Sequence, residues 1–293
     1  MDHIARRIVQ PGPSAAIRIE SAVGAFREIS FSVTPGLTLV DAVAGPLAAA
    51  GIRGGAVDLA ELELAPFDYV IPARSPDAEH VAYYSATRHV PGGVRVESGT
   101  ATFGQRDGAP FLHAHALWHG PDGAAAGHIL PLDTRIAAAS RVRAWGTADA
   151  EMRATPDRET NFTLFGPIQL GSEIGDCVLA RLRPNEDLVG GIEALCRRHG
   201  ASRATVLSGI GSTIGSLLEG GARIETIPTE FFIRRGVVAP DLHTDIEVVV
   251  VDETGTIISG RVVRGMNPVL ICAEIVLRLD WSNIGSSRIG SVG

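Results

Sequence analysis

Three histidines occupy positions where strand geometry would bring them together. His113 and His115 lie in Phe111-Leu112-His113-Ala114-His115-Ala116-Leu117-Trp118, which predicts a strand. Side chains two apart on a strand leave the same face, so both imidazoles point one way. A turn at Gly120-Pro121-Asp122-Gly123 then leads into a return strand carrying His128. With Gly120 opposite Gly123, His115 falls directly across from His128, their Cβ atoms about 5 Å apart. His113 sits diagonally beside that pair. Three imidazoles on one patch, with a position left for water or substrate, match an open, catalytic-type zinc site. The same spacing also suits a polar strand face with solvent-exposed histidines, and His119, nearer the turn, is expected to be one. Zinc in such a site would lower the pKa of a bound water to about 7 or polarise a carbonyl.

The second half of the chain offers a weaker version. There Asp241-Leu242-His243-Thr244-Asp245-Ile246-Glu247-Val248 parallels the histidine strand, and the matching positions are His243, Asp245 and Arg261. An arginine cannot bind a cation, so this second site is expected to be metal-free, with Asp245 and Arg261 suited to an ion pair. Tyr83, Tyr84, Arg88 and His89 cluster in an insertion of the first half. They are candidates to line a pocket, with Tyr83, Arg88 or His89 on an anionic substrate; a role covering a sheet edge stays open. Ser208-Gly209-Ile210-Gly211-Ser212 reads as a tight turn more than as an anion cradle, because no helix start follows it. No catalytic triad can be assembled from spacing, since triads are defined by geometry. The catalytic residues stay unassigned and no general base is clear from the sequence, though an acid from the second half could reach across an interface.

The elements that carry these residues repeat. Val178-Leu179-Ala180-Arg181-Leu182-Arg183 predicts a strand, and Asn185, with acids in the first turn, caps a helix running to about His199. Gly200 stops that helix, and Ala204-Thr205-Val206-Leu207 follows as a strand. In the first half Ile29 to Val33 predicts the strand, and Pro35-Gly36-Leu37-Thr38 opens a helix carrying Leu39, Val43 and Leu47. Gly51 ends that helix before Ala56-Val57-Asp58-Leu59. Pro35 matches Pro184 and Gly51 matches Gly200 at one constant offset. Each half continues through a hairpin, and the second ends on the alternating strand Ala273 to Leu279. One helix followed by hairpin-joined strands predicts an α+β fold: two tandem domains, each a mostly antiparallel sheet wrapped around one main helix. The expected bounds are 14–146 and 174–282, with a polar linker or crossover over 147–173 and a flexible tail over 283–293.

Bulk composition narrows the function. The 293 residues carry a net charge of −7, and no half is basic: 12 Arg against 15 acids in residues 1–150, then 14 Arg against 18. That opposes non-specific nucleic-acid binding, which needs phosphate-neutralising cations. Every Lys-or-Arg position is arginine, which excludes Schiff-base chemistry, pyridoxal-phosphate anchoring and a Walker A loop. Three cysteines without C-x-x-C spacing argue for buried free thiols rather than disulfides or a cysteine zinc site. No apolar run spans a bilayer and no signal-peptide core is visible, so the cytoplasm is the expected compartment.

The residues also resemble the plants-and-prokaryotes conserved (PPC) domain. In the second half the resemblance rests on Arg181-Leu182-Arg183-Pro184-Asn185-Glu186-Asp187-Leu188, Ala194-Leu195-Cys196, His199-Gly200 and Leu207 to Ser212. The first half lacks the S-G-I-G-S stretch but keeps an L-H-x-H…G-H pattern as Leu112-His113-Ala114-His115 and Gly127-His128. The resemblance implies a sheet wrapped around one helix, assembly as trimers, and a metal, foremost zinc, at the three histidines. Plant relatives pair the domain with AT-hooks; this chain has no R-G-R-P core. The expected function is a zinc-binding oligomer that binds or transforms a small anionic metabolite. The alternative is a regulatory or oligomerisation module, with DNA as a partner, that performs no catalysis.

Overall fold

The computed structural model describes residues 6–281. Its first strand in chain order is β1 (Ile19–Gly24), followed by β2 (Arg27–Val33), α1 (Leu39–Ala49) and β3 (Gly54–Asp58). Long strands β4 (Val94–Arg106) and β5 (Ala109–Gly120) come next, then β6 (Gly123–Ile129) and β7 (Ser140–Thr147). After the hairpin β8 (Ala150–Pro156) and β9 (Thr163–Gln169) the chain runs β10 (Cys177–Leu182), α2 (Leu188–Arg198) and β11 (Arg203–Thr213). It closes with β12 (Thr229–Val238), β13 (Thr244–Asp252), β14 (Ile257–Arg261) and β15 (Val269–Asp280). Neither helix is long and apolar enough to cross a membrane among the described residues.

The repeat is visible in the sheet order. One sheet runs β2-β7-β3-β4-β5-β6 and continues into short strands Phe67–Val70 and Arg88–Val90. The other runs β1-β10-β15-β11-β12-β13-β14. Aligning β2 with β10 gives the same order throughout: pre-helix strand, last strand, post-helix strand, then three strands joined in sequence. The fold is therefore two tandem α+β units with mostly antiparallel sheets and one helix each.

Helix placement follows from caps and apolar spacing. Thr38 Oγ1 accepts from the Asp41 N–H at 3.1 Å to start α1, which buries Leu39, Val43 and Leu47. The cap of α2 differs from the expected Asn185. Asp187 accepts the Gly190 N–H at 2.8 Å, whereas Asn185 has a φ of 67° and bonds the backbone of Ile8. An asparagine tolerates that left-handed conformation, so it makes the turn before the helix instead.

Each sheet has a helix face and an inward face. Leu112, Ala114, Ala116 and Trp118 of β5 pack with α1 in the core of the first unit. On β15, Ala273, Ile275, Leu277 and Leu279 do the same with α2. The opposite faces meet each other: Leu117 and Ala126 pack on Ile210, Phe232, Val249 and Val251. Thr100 Oγ1 also donates to Ser208 Oγ at 2.9 Å across this junction. Period-two alternation thus sends one set of side chains to the helix and the other to the second copy.

Three expectations need correction. The 147–173 stretch holds the β8–β9 hairpin, whose β8 pairs in parallel with β4 through Arg153–Gln105 and Ala154–Arg106. Buried Met152 and Phe165 anchor it, and the polar run only forms its loop. Second, β1 lies inside the range assigned to the first unit but pairs with β10 of the second. Third, Ser208 to Ser212 belongs to β11 rather than to a turn. A Cβ on Gly211 would lie 2.1 Å from the Cys272 carbonyl, so this glycine permits a close strand approach. Cys177, Cys196 and Cys272 are free and buried. The expected tail over 283–293 lies outside the described residues.

Candidate metal centre

The histidine hairpin forms in the expected register. β5 pairs with β6 so that His115 stands opposite His128, with Gly120 opposite Gly123. The odd-numbered side chains of β5 leave its inward face, placing His113 and His115 against the second copy. One ligand atom from each of His113, His115 and His128 falls within 4.8 Å of the others.

Hydrogen bonds set the direction of each ring. The His115 Nδ1 lies 2.9 Å from the Phe231 carbonyl of β12, which can only accept, so Nδ1 carries the proton. The His113 Nδ1 lies 2.9 Å from Glu274 Oε1 of β15, which as a carboxylate also accepts. Both Nε2 atoms are then left with lone pairs, and these face each other at 3.0 Å. Two lone pairs at that distance repel unless a proton or a cation lies between them. Two nitrogens on one tetrahedral zinc stand about 3.3 Å apart, given Zn–N bonds of 2.0–2.1 Å. A histidine whose second nitrogen is held by a carboxylate or carbonyl is the usual support of a metal ligand. His128 adds an orphan: its Nδ1 is buried with no hydrogen-bond partner. The donor set fits a divalent transition metal.

The surroundings favour the neutral form of His115 and His128. Burial pushes the pKa of His115 well below the ordinary value, and the neighbouring His113 adds to the shift against the pull of the Phe231 carbonyl. Burial likewise lowers His128, with His113 and His115 acting in the same direction. Glu230 of β12 places Oε1 3.9 Å from His115 Nε2, and burial raises its pKa to about 8. Its other oxygen, and that of Glu274, are buried without partners. Tyr84 stacks edge-on to His128 at 5.2 Å between ring centroids.

A cleft of about 420 Å³ opens from the cluster, lined by His113, His128, Tyr83, Tyr84, Phe162 and Glu274 among others. Of the expected substrate residues, only Tyr83 lies in its wall. Arg88 sits over the Tyr69 ring at 5.9 Å, and His89 Nδ1 lies 2.9 Å from Asp68. Both belong to the short strand Arg88–Val90 at the sheet edge, where pairing with Phe67–Val70 turns them to solvent. His119 is exposed and meets Glu97 at 2.8 Å, as expected of a solvent-facing residue.

In the second copy, Arg261 stands opposite Glu247, so Asp245 and Glu247 occupy the places of His113 and His115. His243 falls outside β13 and is exposed. The assignment shifts by one pleat because this hairpin has a longer turn than the two residues that join β5 to β6. Arg261 and Asp245 do form an ion pair at 3.1 Å.

Glu230, Glu274 and Phe162 are the site residues that spacing did not single out. Glu274 had a signal, as a lone acid within the apolar strand Ala273 to Leu279. Glu230 has a similar one before Phe231-Phe232-Ile233. A charge kept in a strand that is otherwise core points to a specific partner.

Residues 170–279 match the model of the Plants and Prokaryotes Conserved (PCC) domain. The second copy is thus similar to the PCC domain over nearly all of its length. The first copy repeats its strand order and contributes the histidines. Solved structures similar to this chain include a metal-containing protein from Archaeoglobus fulgidus, at 18% identity and TM-score 0.38, covering 50% of this chain and 96% of that one. A PPC protein from Pyrococcus horikoshii matches at 16% identity and TM-score 0.39, covering 50% and 99%. A protein from Bacteroides thetaiotaomicron, provisionally named as DNA-binding, matches at 14% identity and TM-score 0.35, covering 47% and 90%. No curated protein matches the chain at a significant level.

Proposed function

We propose that this tandem PCC protein binds a divalent transition metal, foremost zinc, through His113, His115 and His128, and a small anionic metabolite in the adjoining cleft. The observation that carries the reading is the pair of Nε2 lone pairs facing each other at 3.0 Å, each fixed by an acceptor on the opposite nitrogen. Zinc held there would supply Lewis acidity. The chain's own residues do the rest. Glu274 orients His113, the Phe231 carbonyl orients His115, and Tyr84 and Phe162 line the cleft beside them. Glu230, whose carboxyl burial pushes up to about 8, lies beside His115, where it can exchange a proton with a bound group. The site is completed only when the two copies meet, because its histidines come from one and its carboxylates from the other. The net charge of −7 opposes nucleic acid as the ligand.

The test is elemental analysis of untagged protein, wild type beside His113→Ala/His115→Ala, with circular dichroism to confirm that both are folded. About one zinc per chain in the wild type and none in the variant is the expected result. A folded wild type that neither carries metal nor takes up added zinc would overturn the reading.

A further inference from the structure

Beyond the histidines the cleft changes character. Its far wall is made by Phe111, Phe165, Leu164, Leu130 and Pro131, and Arg106 is its one Lys-or-Arg lining residue in the described structure. The Arg106 guanidinium lies over the Phe111 ring, 5.3 Å from its centroid. That stacking holds a cation at the edge of an apolar surface. The nearest acid, Asp107, is 3.8 Å away and 93% exposed, so solvent screens the pair and the guanidinium keeps its hydrogen-bonding fork for a ligand. On the other side Tyr83, Tyr84 and Phe162 pack against one another, with centroids 6.0 to 6.4 Å apart.

The order along the strand fixes the ligand's layout. Phe111 and His113 leave the same face of β5 two residues apart, about 7 Å along the strand. A molecule lying along this face from the metal centre therefore crosses the Phe111 ring before it reaches Arg106. Its middle meets hydrocarbon on both sides, and its far end meets a planar guanidinium that pairs bidentately with a carboxylate. The near end meets His113, His128 and Glu274.

We propose that the cleft takes a carboxylic acid with a flat apolar body, its carboxylate held by Arg106 and its opposite, polar end presented to His113 and His128 of the histidine cluster. The carboxylate and apolar contacts stand on the cleft alone; the placement of the polar end rests on the metal reading above. Arg106 is then a specificity-determining residue that Arg88, turned to solvent, cannot replace.

The experiment uses the full chain and 3-phenylpropionate as probe, with its neutral amide as the comparison, titrated by calorimetry. Wild type and Arg106→Gln are each measured zinc-loaded and after chelator treatment, with metal content determined in parallel. The expected result is saturable binding of the acid that weakens at least tenfold in Arg106→Gln and at least tenfold for the amide, with or without metal. Arg106→Gln should keep the wild-type metal content. No binding of the acid at millimolar concentration, or equal binding by wild type and Arg106→Gln, would overturn the proposal. So would binding lost on metal removal but unchanged in Arg106→Gln, because the carboxylate would then sit on the metal. Arg106-dependent binding by a protein that holds no zinc would uphold the carboxylate site while removing the metal reading.

Discussion

Glu274 Oε1 lies 2.9 Å from His113 Nδ1, although the two residues belong to different copies of the repeat. The histidines come from the first copy and the acid from the second, and the junction assembles both. The carboxylate fixes the His113 tautomer and raises the basicity of Nε2, which is what a metal ligand needs. Glu274→Gln should keep the ring in place through the amide oxygen but remove the charge. Zinc affinity, measured against a competing chelator, is expected to fall about 10- to 100-fold with the fold intact. Unchanged affinity would show that Glu274 serves only the junction's structure.

Metal should also stabilise the folded chain, because the site exists only when both copies are docked. At a free zinc concentration of 1,000 Kd the gain is about 4 kcal/mol. A rise in Tm on zinc addition, reversed by chelator and absent in His113→Ala/His115→Ala, is the expected outcome of thermal melts. An equal rise in the variant would place the stabilising metal elsewhere.

The histidine cluster was legible because it depends on local rules: alternation on β5, a two-residue turn, and direct pairing of His115 with His128. The repeat was legible because Gly51 and Gly200 both end helices in the left-handed region, with φ of 69° and 64°. What the sequence hid was set by long-range contact. Glu274 is 161 residues from His113, and nothing local says that β15 faces β5. Asn185 and Asp187 are both good cap residues, and the Ile8 backbone decides between them by engaging Asn185. Nothing local singled out Arg106: pairing of β4 with β5 sets it beside Phe111 in the cleft, whereas Arg88, the expected anion receptor, lies on a strand at the sheet edge.

Gly211 tests the close approach inside β11. A methyl there would lie 2.1 Å from the Cys272 carbonyl and 2.8 Å from Ala273 Cα, both backbone atoms of β15 that cannot swing away. Gly211→Ala should therefore cost more than about 2 kcal/mol in urea unfolding, within the upper range for strained or overpacked substitutions. Since β15 carries Glu274, the variant should also bind zinc more weakly. Wild-type stability would show that the two strands separate without penalty.

Asp157 contributes to the pH dependence of stability. Its carboxylate takes hydrogen bonds from Arg183 at 2.7 Å and Arg181 at 3.3 Å, and from the Glu159 and Thr160 N–H groups at 3.1 Å. Burial pushes its pKa up, but Arg183 and Arg181 pull harder, and the net shift is downward. In the unfolded chain an aspartate titrates near ~3.9. The folded state thus binds fewer protons, and the stabilisation is fully present above that value and lost as pH falls through it toward the lower folded pKa. Asp157→Asn should be less stable than wild type at pH 7, with the gap narrowing between pH 5 and pH 3. Urea unfolding across that range measures it directly. A gap that stays constant with pH would assign the loss to packing around β10 rather than to the charge, and the two arginines would then be held by Glu20 and Glu159 alone.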